Sequence, residues 1–127
     1  LNTVGDYQMF ANERDNKNYD IFVGGWFSDY NDPLDFLNVM KTGVYDSYGL
    51  YINSEYDSLI DSLTGENDNA KRLEIYQKLE DLLVAQDCGV APLYYSDKHY
   101  YYQNWVKDFY TSSFGASQEL YRASVQK

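Results

Sequence analysis

One cysteine, Cys88, and one histidine, His99, are all that this chain of 127 residues carries of either type. A lone thiol excludes an internal disulfide, and so few cysteines and histidines leave no cluster with zinc-ligand spacing. A cysteine-poor chain fits the cytosol and equally fits a bacterial exported protein that never needed disulfides. Positive charge is also scarce. Ten Lys and Arg against 20 Asp and Glu give a formal net charge of −10. Such a surface repels nucleic acid and anionic lipid, so neither is expected as a partner. No apolar run is long enough to cross a bilayer, and no secretory leader is read in these residues. No Gly-rich loop runs into a Lys-Ser/Thr ending, and no Ser–His–acid set can be assembled, so the common nucleotide-dependent and nucleophilic chemistries have no foothold. The chain begins with Leu1 rather than Met, and it is expected to be a piece of something longer.

Tyrosine is abundant, with 15 residues. Its apolar ring and polar tip suit half-wet surfaces and ligand grooves, or alternatively exposed strands where it replaces phenylalanine. The length suits one domain with a modest core.

The segment 6–14, "DYQMFANER", has Tyr7, Phe10 and Ala11 at helical spacing and predicts a short amphipathic helix, with a turn over 15–18. Residues 19–27, "YDIFVGGWF", are apolar on both faces, the pattern of a strand covered on both sides of an α/β sheet. Gly24 and Gly25 would let another backbone approach there. Pro33 fits the first position of a helix over 33–40, with Asp32 as its cap and Asp35 near the capping-box position. The segment 41–54 reads as an irregular Tyr-rich loop. A helix follows over 54–63, with Ser54 as cap and Tyr56, Leu59, Ile60 and Leu63 on one stripe. After a turn over 64–68, residues 68–87 form the strongest helix, with Leu73, Tyr76, Leu79, Leu82 and Leu83 on one face and Gly89 as its stop. Cys88, at that helix end, is expected as a buried small hydrophobe rather than a nucleophile. Both helices are expected to pack on the strand over 19–27. The aromatic segment 90–106 predicts one or two strands, with a hairpin through "SDKH", and the tail "ELYRASVQK" a last short strand. His99 reads as a surface histidine.

Asp29, Asp32 and Asp35 form a D-x-x-D-x-x-D run. Calcium loops need ligands at alternate positions and a glycine for the turn, and capping accounts for Asp32 and Asp35, so no metal is expected. Asp29 stands apart. It follows Trp26 and Phe27 and precedes Tyr30, where the buried strand would end, and ligands of α/β sheets collect at strand ends. A carboxylate against aromatic walls can hold a cationic group through charge and cation–π attraction. Alternatively, Asp29 only caps a turn.

Three blocks, "YDIFVGGWFSDYNDPLDFL", "NSEYDSLIDSL" and "KRLEIYQKLEDLLVAQDCGVAPLYY", resemble in order and spacing the C-terminal part of the family 5 extracellular solute-binding proteins, the oligopeptide- and dipeptide-binding receptors of ABC importers. The resemblance covers most of residues 19–106. It implies an α/β, two-lobed periplasmic-binding-protein-like fold, of which this chain is a C-terminal fragment. Residues 1–89 would belong to the second ligand-binding lobe. Residues 90–127 would cross the hinge and rejoin the first lobe. The family's peptide receptors use an aspartate in a G-W-x-x-D-Y block to bind the peptide's free α-amino group. That position is Asp29 here, in "GWFSDY". Trp26 matches the pocket tryptophan, and Tyr30 completes the block. Backbone groups near Gly25 and Phe27 would bond the peptide main chain as an added strand does. Ser96 stands where some relatives carry another pocket aromatic. The resemblance therefore implies a bacterial, exported, extracytoplasmic oligopeptide receptor that serves ABC permease subunits. It implies no catalysis and no cofactor, and membrane attachment only through a lipid anchor on the parent.

Two other readings remain at this point. An extracellular carbohydrate receptor or module would stack sugar rings on Trp26 and the tyrosines and would not need a free amine. A glycosidase would pair Asp29 with a second acid at a set distance, and nothing in the sequence chooses that acid. A hinge-crossing tail without its sheet would leave an apolar edge, so the fragment is expected to dimerise or swap that tail.

Overall fold

A computed structural model of the chain describes residues 7–44, 50–114 and 120–126. The first predicted helix is present as α1 (Tyr7–Asp15). It ends in a tight turn in which Lys17 takes a φ of 56° and the Asn18 N–H closes on the Glu13 carbonyl at 2.9 Å.

The core is built by three helical elements. α2 (Leu34–Leu37) runs into a 3₁₀ turn over Asn38–Met40. α3 covers Ser54–Ser62, and α4 covers Asn69–Glu80 before widening into a π-helical segment over Asp81–Gln86. Leu37, Tyr56, Ile60, Leu63, Tyr76, Leu79, Leu82 and Leu83 bury one another, with Tyr51, Leu59 and Val90 packed at the margin. The Tyr56 hydroxyl is satisfied inside this core because it donates to the Leu37 carbonyl at 2.8 Å. Burial pushes the Tyr56 phenol well up, so it stays a neutral donor.

Two helix starts show why the boundaries fall where they do. Asn53 rather than Ser54 caps α3: its extended backbone lets the side-chain oxygen accept the N–H groups of Glu55 at 2.9 Å and Tyr56 at 3.0 Å. Asp68 does the same for Ala70 and Lys71 at the start of α4. Along α4 the inward positions are Arg72, Tyr76 and Leu79, at i, i+4 and i+7. Leu73, expected in the stripe, is therefore turned out and 57% exposed.

The end of this helix differs from expectation in two ways. The Asp87 N–H reaches back to the Leu82 carbonyl at 2.9 Å, a π-type bond that adds a residue to the turn and lets Leu82 and Leu83 both enter the core. The left-handed residue that stops the helix is Cys88, with φ of 51°, and not Gly89. Cys88 is exposed, because the reversal lifts its side chain off the core. Gly89 serves a different need. A Cβ there would lie 2.7 Å from the Tyr51 ring, so only glycine lets the chain pass. Tyr51 is held by Asp87, whose Oδ2 accepts the Tyr51 hydroxyl at 2.8 Å and the Asn53 amide at 2.7 Å. Burial, and then this carboxylate, raise the Tyr51 phenol to about 12. The same two hydrogen bonds hold the Asp87 carboxyl below its ordinary value.

The predicted strands fare differently. Residues 19–27 form no ladder among the described residues, and Ile21 is 87% exposed rather than covered on both faces. The helices accordingly pack on each other and on α2, not on a strand. Residues 90–105 likewise take an irregular path without a hairpin, and Tyr95 is 99% exposed. A strand obtains its main-chain hydrogen bonds from a neighbouring segment; of these two stretches Trp105 alone is shown with such a bond to a sequence-distant segment among the described residues, its carbonyl accepting the Gln126 N–H at 2.9 Å. Among the described residues one ladder is present, joining β1 (Val106–Lys107) to β2 (Ser124–Val125), antiparallel, with Val106 opposite Val125. β2 lies in the tail where a last short strand was expected. Residues 45–49 of the Tyr-rich loop lie outside the described residues; 41–44 and 50–53 are irregular, as expected.

Candidate functional site

The loop from Gly24 to Asp32 leads into α2, and one buried carboxylate organises it. Asp35, in the first turn of α2, is 6% exposed. Its Oδ2 accepts the Trp26 indole N–H at 3.0 Å and the Asp29 backbone N–H at 2.9 Å. A buried indole N–H needs an acceptor, and Asp35 supplies it while fixing the main chain three residues further on. The capping-box expectation for Asp35 is thus corrected: its carboxylate turns toward the preceding loop.

Asp32 caps as expected and does more. Pro33 already has helical dihedrals, and the Asp32 Oδ1 accepts the Leu34 N–H at 2.9 Å. The same carboxylate takes Arg72 Nη2 at 2.7 Å and the Tyr76 hydroxyl at 2.6 Å, both from α4. Arg72 also hydrogen-bonds Tyr76 and the Glu66 carbonyl. Burial by itself would raise the Asp32 carboxyl. The Tyr76 and Leu34 hydrogen bonds and the Arg72 charge outweigh it and hold the group below its ordinary value. Burial and the Asp32 acceptor raise Tyr76 to about 12. The loop is therefore pinned at its far end to the core helix.

Asp29 lies between these two anchors. Its main chain is fixed, yet its carboxylate is exposed and has no hydrogen-bond or ion-pair partner among the described residues. It does not cap the turn. Trp26 is half-buried beside it, while Phe27 and Tyr30 are exposed. The Tyr30 carbonyl accepts the Asp32 N–H at 3.0 Å, which tightens the turn. Gly25 is open, with nothing within 4 Å of where a Cβ would stand; at Gly24 the Phe22 ring occupies that space. A second segment reaches the loop: Lys98 Nζ stands 4.4 Å from the centroid of the Phe27 ring. Ser96 is exposed on that same segment. The structure thus gathers Trp26, Asp29 and Tyr30 on one anchored loop, brings Lys98 to Phe27, and shows no bond between Ser96 and the loop.

Among the described residues no group of three His, Cys, Asp or Glu is placed to hold a metal ion, and no helix is long and apolar enough to cross a membrane.

No family model matches the chain, and no solved structure matches it. Curated relatives do. The periplasmic oligopeptide-binding protein OppA of Salmonella typhimurium is 30% identical over 101 residues, covering 80% of this chain and 18% of the relative. The oligopeptide-binding protein OppA of Bacillus subtilis is 30% identical over 105 residues, with 81% and 18% covered. The chain belongs to the oligopeptide-binding solute-binding family. It spans 18% of the length of these two relatives. A probable deoxycholate-binding periplasmic protein of Escherichia coli, YgiS, is 34% identical over 70 residues, 55% of this chain and 13% of the relative. These relatives are named as binding proteins, not enzymes.

Sequence reasoning read Asp35 as part of a cap and Tyr76 as a core position, and missed their tertiary hydrogen bonds and Arg72. Asp35 carried only an indirect signal, since a part-buried indole N–H needs an acceptor and the sequence does not say which. Arg72 carried another, being a cation on the inward face of an otherwise apolar helix, four residues before a tyrosine.

Proposed function

We propose that this chain is the part of an extracytoplasmic oligopeptide receptor, working with ABC permease subunits, that grips the peptide's free N-terminal amine. Asp29 supplies the charge. Trp26 and Tyr30 supply aromatic surface that favours an ammonium over water, and main-chain groups at Gly25 and Phe27 bond the peptide backbone. The observation that carries this reading is the anchoring of Trp26 and the Asp29 main chain to one oxygen of Asp35, with the Asp29 carboxylate left unpartnered among the described residues. A carboxylate on a fixed main chain that satisfies nothing in its own loop is suited to an external cation, because little ordering remains to be done on binding. Residues 1–89 then belong to one lobe of a two-lobed α/β receptor and residues 90–127 to its hinge-crossing return. The receptor captures ligand outside the cytoplasmic membrane and catalyses nothing.

Calorimetric titration of the full-length protein with a short peptide, free and N-acetylated, tests this. Binding of the free peptide that vanishes on acetylation is the expected result. Binding that survives acetylation would remove the role of Asp29.

The deoxycholate-binding name of the Escherichia coli relative favours a second reading, a bile-acid-like ligand without an amine. Titration with deoxycholate separates the two, as does titration with oligosaccharides for the carbohydrate alternative.

A further inference from the structure

Phe27 and Lys98 form a contact that the amine-gripping arrangement does not use. Lys98 lies 71 residues further along the chain, yet its ammonium stands 4.4 Å from the Phe27 ring centroid. Both side chains are exposed, and Lys98 has no carboxylate partner among the described residues. Lys17, Lys78 and Lys107 also lack a carboxylate partner among the described residues, so what sets Lys98 apart is its place over an aromatic ring of the site loop. The ring holds the ammonium by cation–π attraction, which orients the charge without neutralising it. A ring carrying an uncompensated cation is a subsite of positive sign, two residues from the carboxylate at Asp29.

We propose that Lys98 is a specificity-determining residue that selects an acidic side chain in the bound peptide. The proposal rests on the reading of Asp29 as the amine grip. With the amine on Asp29 and the peptide main chain along Gly25 to Phe27, a peptide side chain near the amine falls beside the Phe27 ring and its cation. A carboxylate there gains an ion pair. A lysine or arginine meets a like charge. The pair is solvent-exposed, so the preference is modest and shrinks with salt.

The test uses the full-length protein and three C-amidated tripeptides, Ala-Glu-Ala, Ala-Gln-Ala and Ala-Lys-Ala, so that the only peptide carboxylate is in a side chain. At low salt the wild type should bind the glutamate peptide about three- to five-fold more tightly than the glutamine one, and the lysine peptide most weakly. Lys98→Met should abolish this ranking while leaving the affinity for the glutamine peptide unchanged, and Lys98→Arg should keep it. Absence of the ranking in the wild type, or its survival in Lys98→Met, would overturn the proposal while leaving the Asp29 reading intact. Failure of all three peptides to bind, or indifference to N-acetylation, would overturn the Asp29 reading and this inference with it.

Discussion

The helical region from Leu34 to Val90 and the aromatic segments on either side of it are similarly rich in large apolar side chains, yet one is a core and the other is open to solvent. In the first, Tyr56 and Leu79 are fully buried and each helix closes its own hydrogen bonds. In the second, Ile21, Tyr94, Tyr95 and Tyr101 face solvent and the main chain finds, among the described residues, one ladder of two residues a side. The difference is one of bonding range. A helix is satisfied within four or five residues, whereas a strand depends on a neighbour that the chain must bring alongside. The site loop stands between these regimes: it is irregular, but Asp35 and Asp32 fasten it to the helical side.

Four changes probe that division, in order of expected effect. Leu79→Ala, at the centre of the core, should lower stability by about 2–5 kcal/mol in urea unfolding. A loss under about 1 kcal/mol would mean that the helices do not form a packed unit. Asp35→Ala leaves the Trp26 indole and the Asp29 N–H without their acceptor and should cost about 1–3 kcal/mol. In a Trp105→Phe background, Trp26 fluorescence should shift to longer wavelength as the indole is released; an unchanged spectrum would break the link between loop and helix.

The third change concerns pH. The folded Asp32 carboxyl is held below its ordinary value of 3.8, so the folded state favours its ionised form. Its contribution is fully present above the unfolded value and is lost as pH falls through the lower folded one. With the side chain about a third exposed, the effect should stay under about 1 kcal/mol. Relative to the wild type, Asp32→Asn should lose stability at pH 7, and the gap should narrow as pH falls below 4. A gap that is constant with pH would show that the Arg72 and Tyr76 contacts are indifferent to charge. Smallest of all, Tyr95→Ser should leave stability within about 0.5 kcal/mol, because the ring touches so little. A larger loss would place Tyr95 in a packed region and erase the contrast.

What was legible in the sequence follows the same division. α3 and α4 were plain, since Tyr56, Ile60, Leu63, Tyr76, Leu79 and Leu82 repeat at the period of a helix whose bonds are local. Their edges were less so. Asn53 and Ser54 are both good caps, and only the backbone angle at Asn53 decides between them. Cys88 and Gly89 were exchanged in role because the sequence favours glycine for a left-handed stop, while the Tyr51 ring, brought in from another segment, claimed the glycine first. The strand over 19–27 has the composition of a covered strand, but composition does not supply the neighbour. Asp29 stood out through its company, Trp26 and Tyr30. Asp35 did not, because a capping carboxylate and a tertiary acceptor look alike in sequence, and only the fold places Trp26 nearby.

The most direct test crosses the Asp29→Ala substitution with N-acetylation of the peptide, in calorimetric titrations of the full-length protein. The free peptide should lose about 2–5 kcal/mol of binding on Asp29→Ala, as for a desolvated ammonium–carboxylate pair. Acetylation should then cost nothing further, because the group that reads the amine is already gone. If Asp29→Ala leaves the free peptide's affinity unchanged, or if acetylation still weakens binding to the variant as much as to the wild type, the amine is held elsewhere.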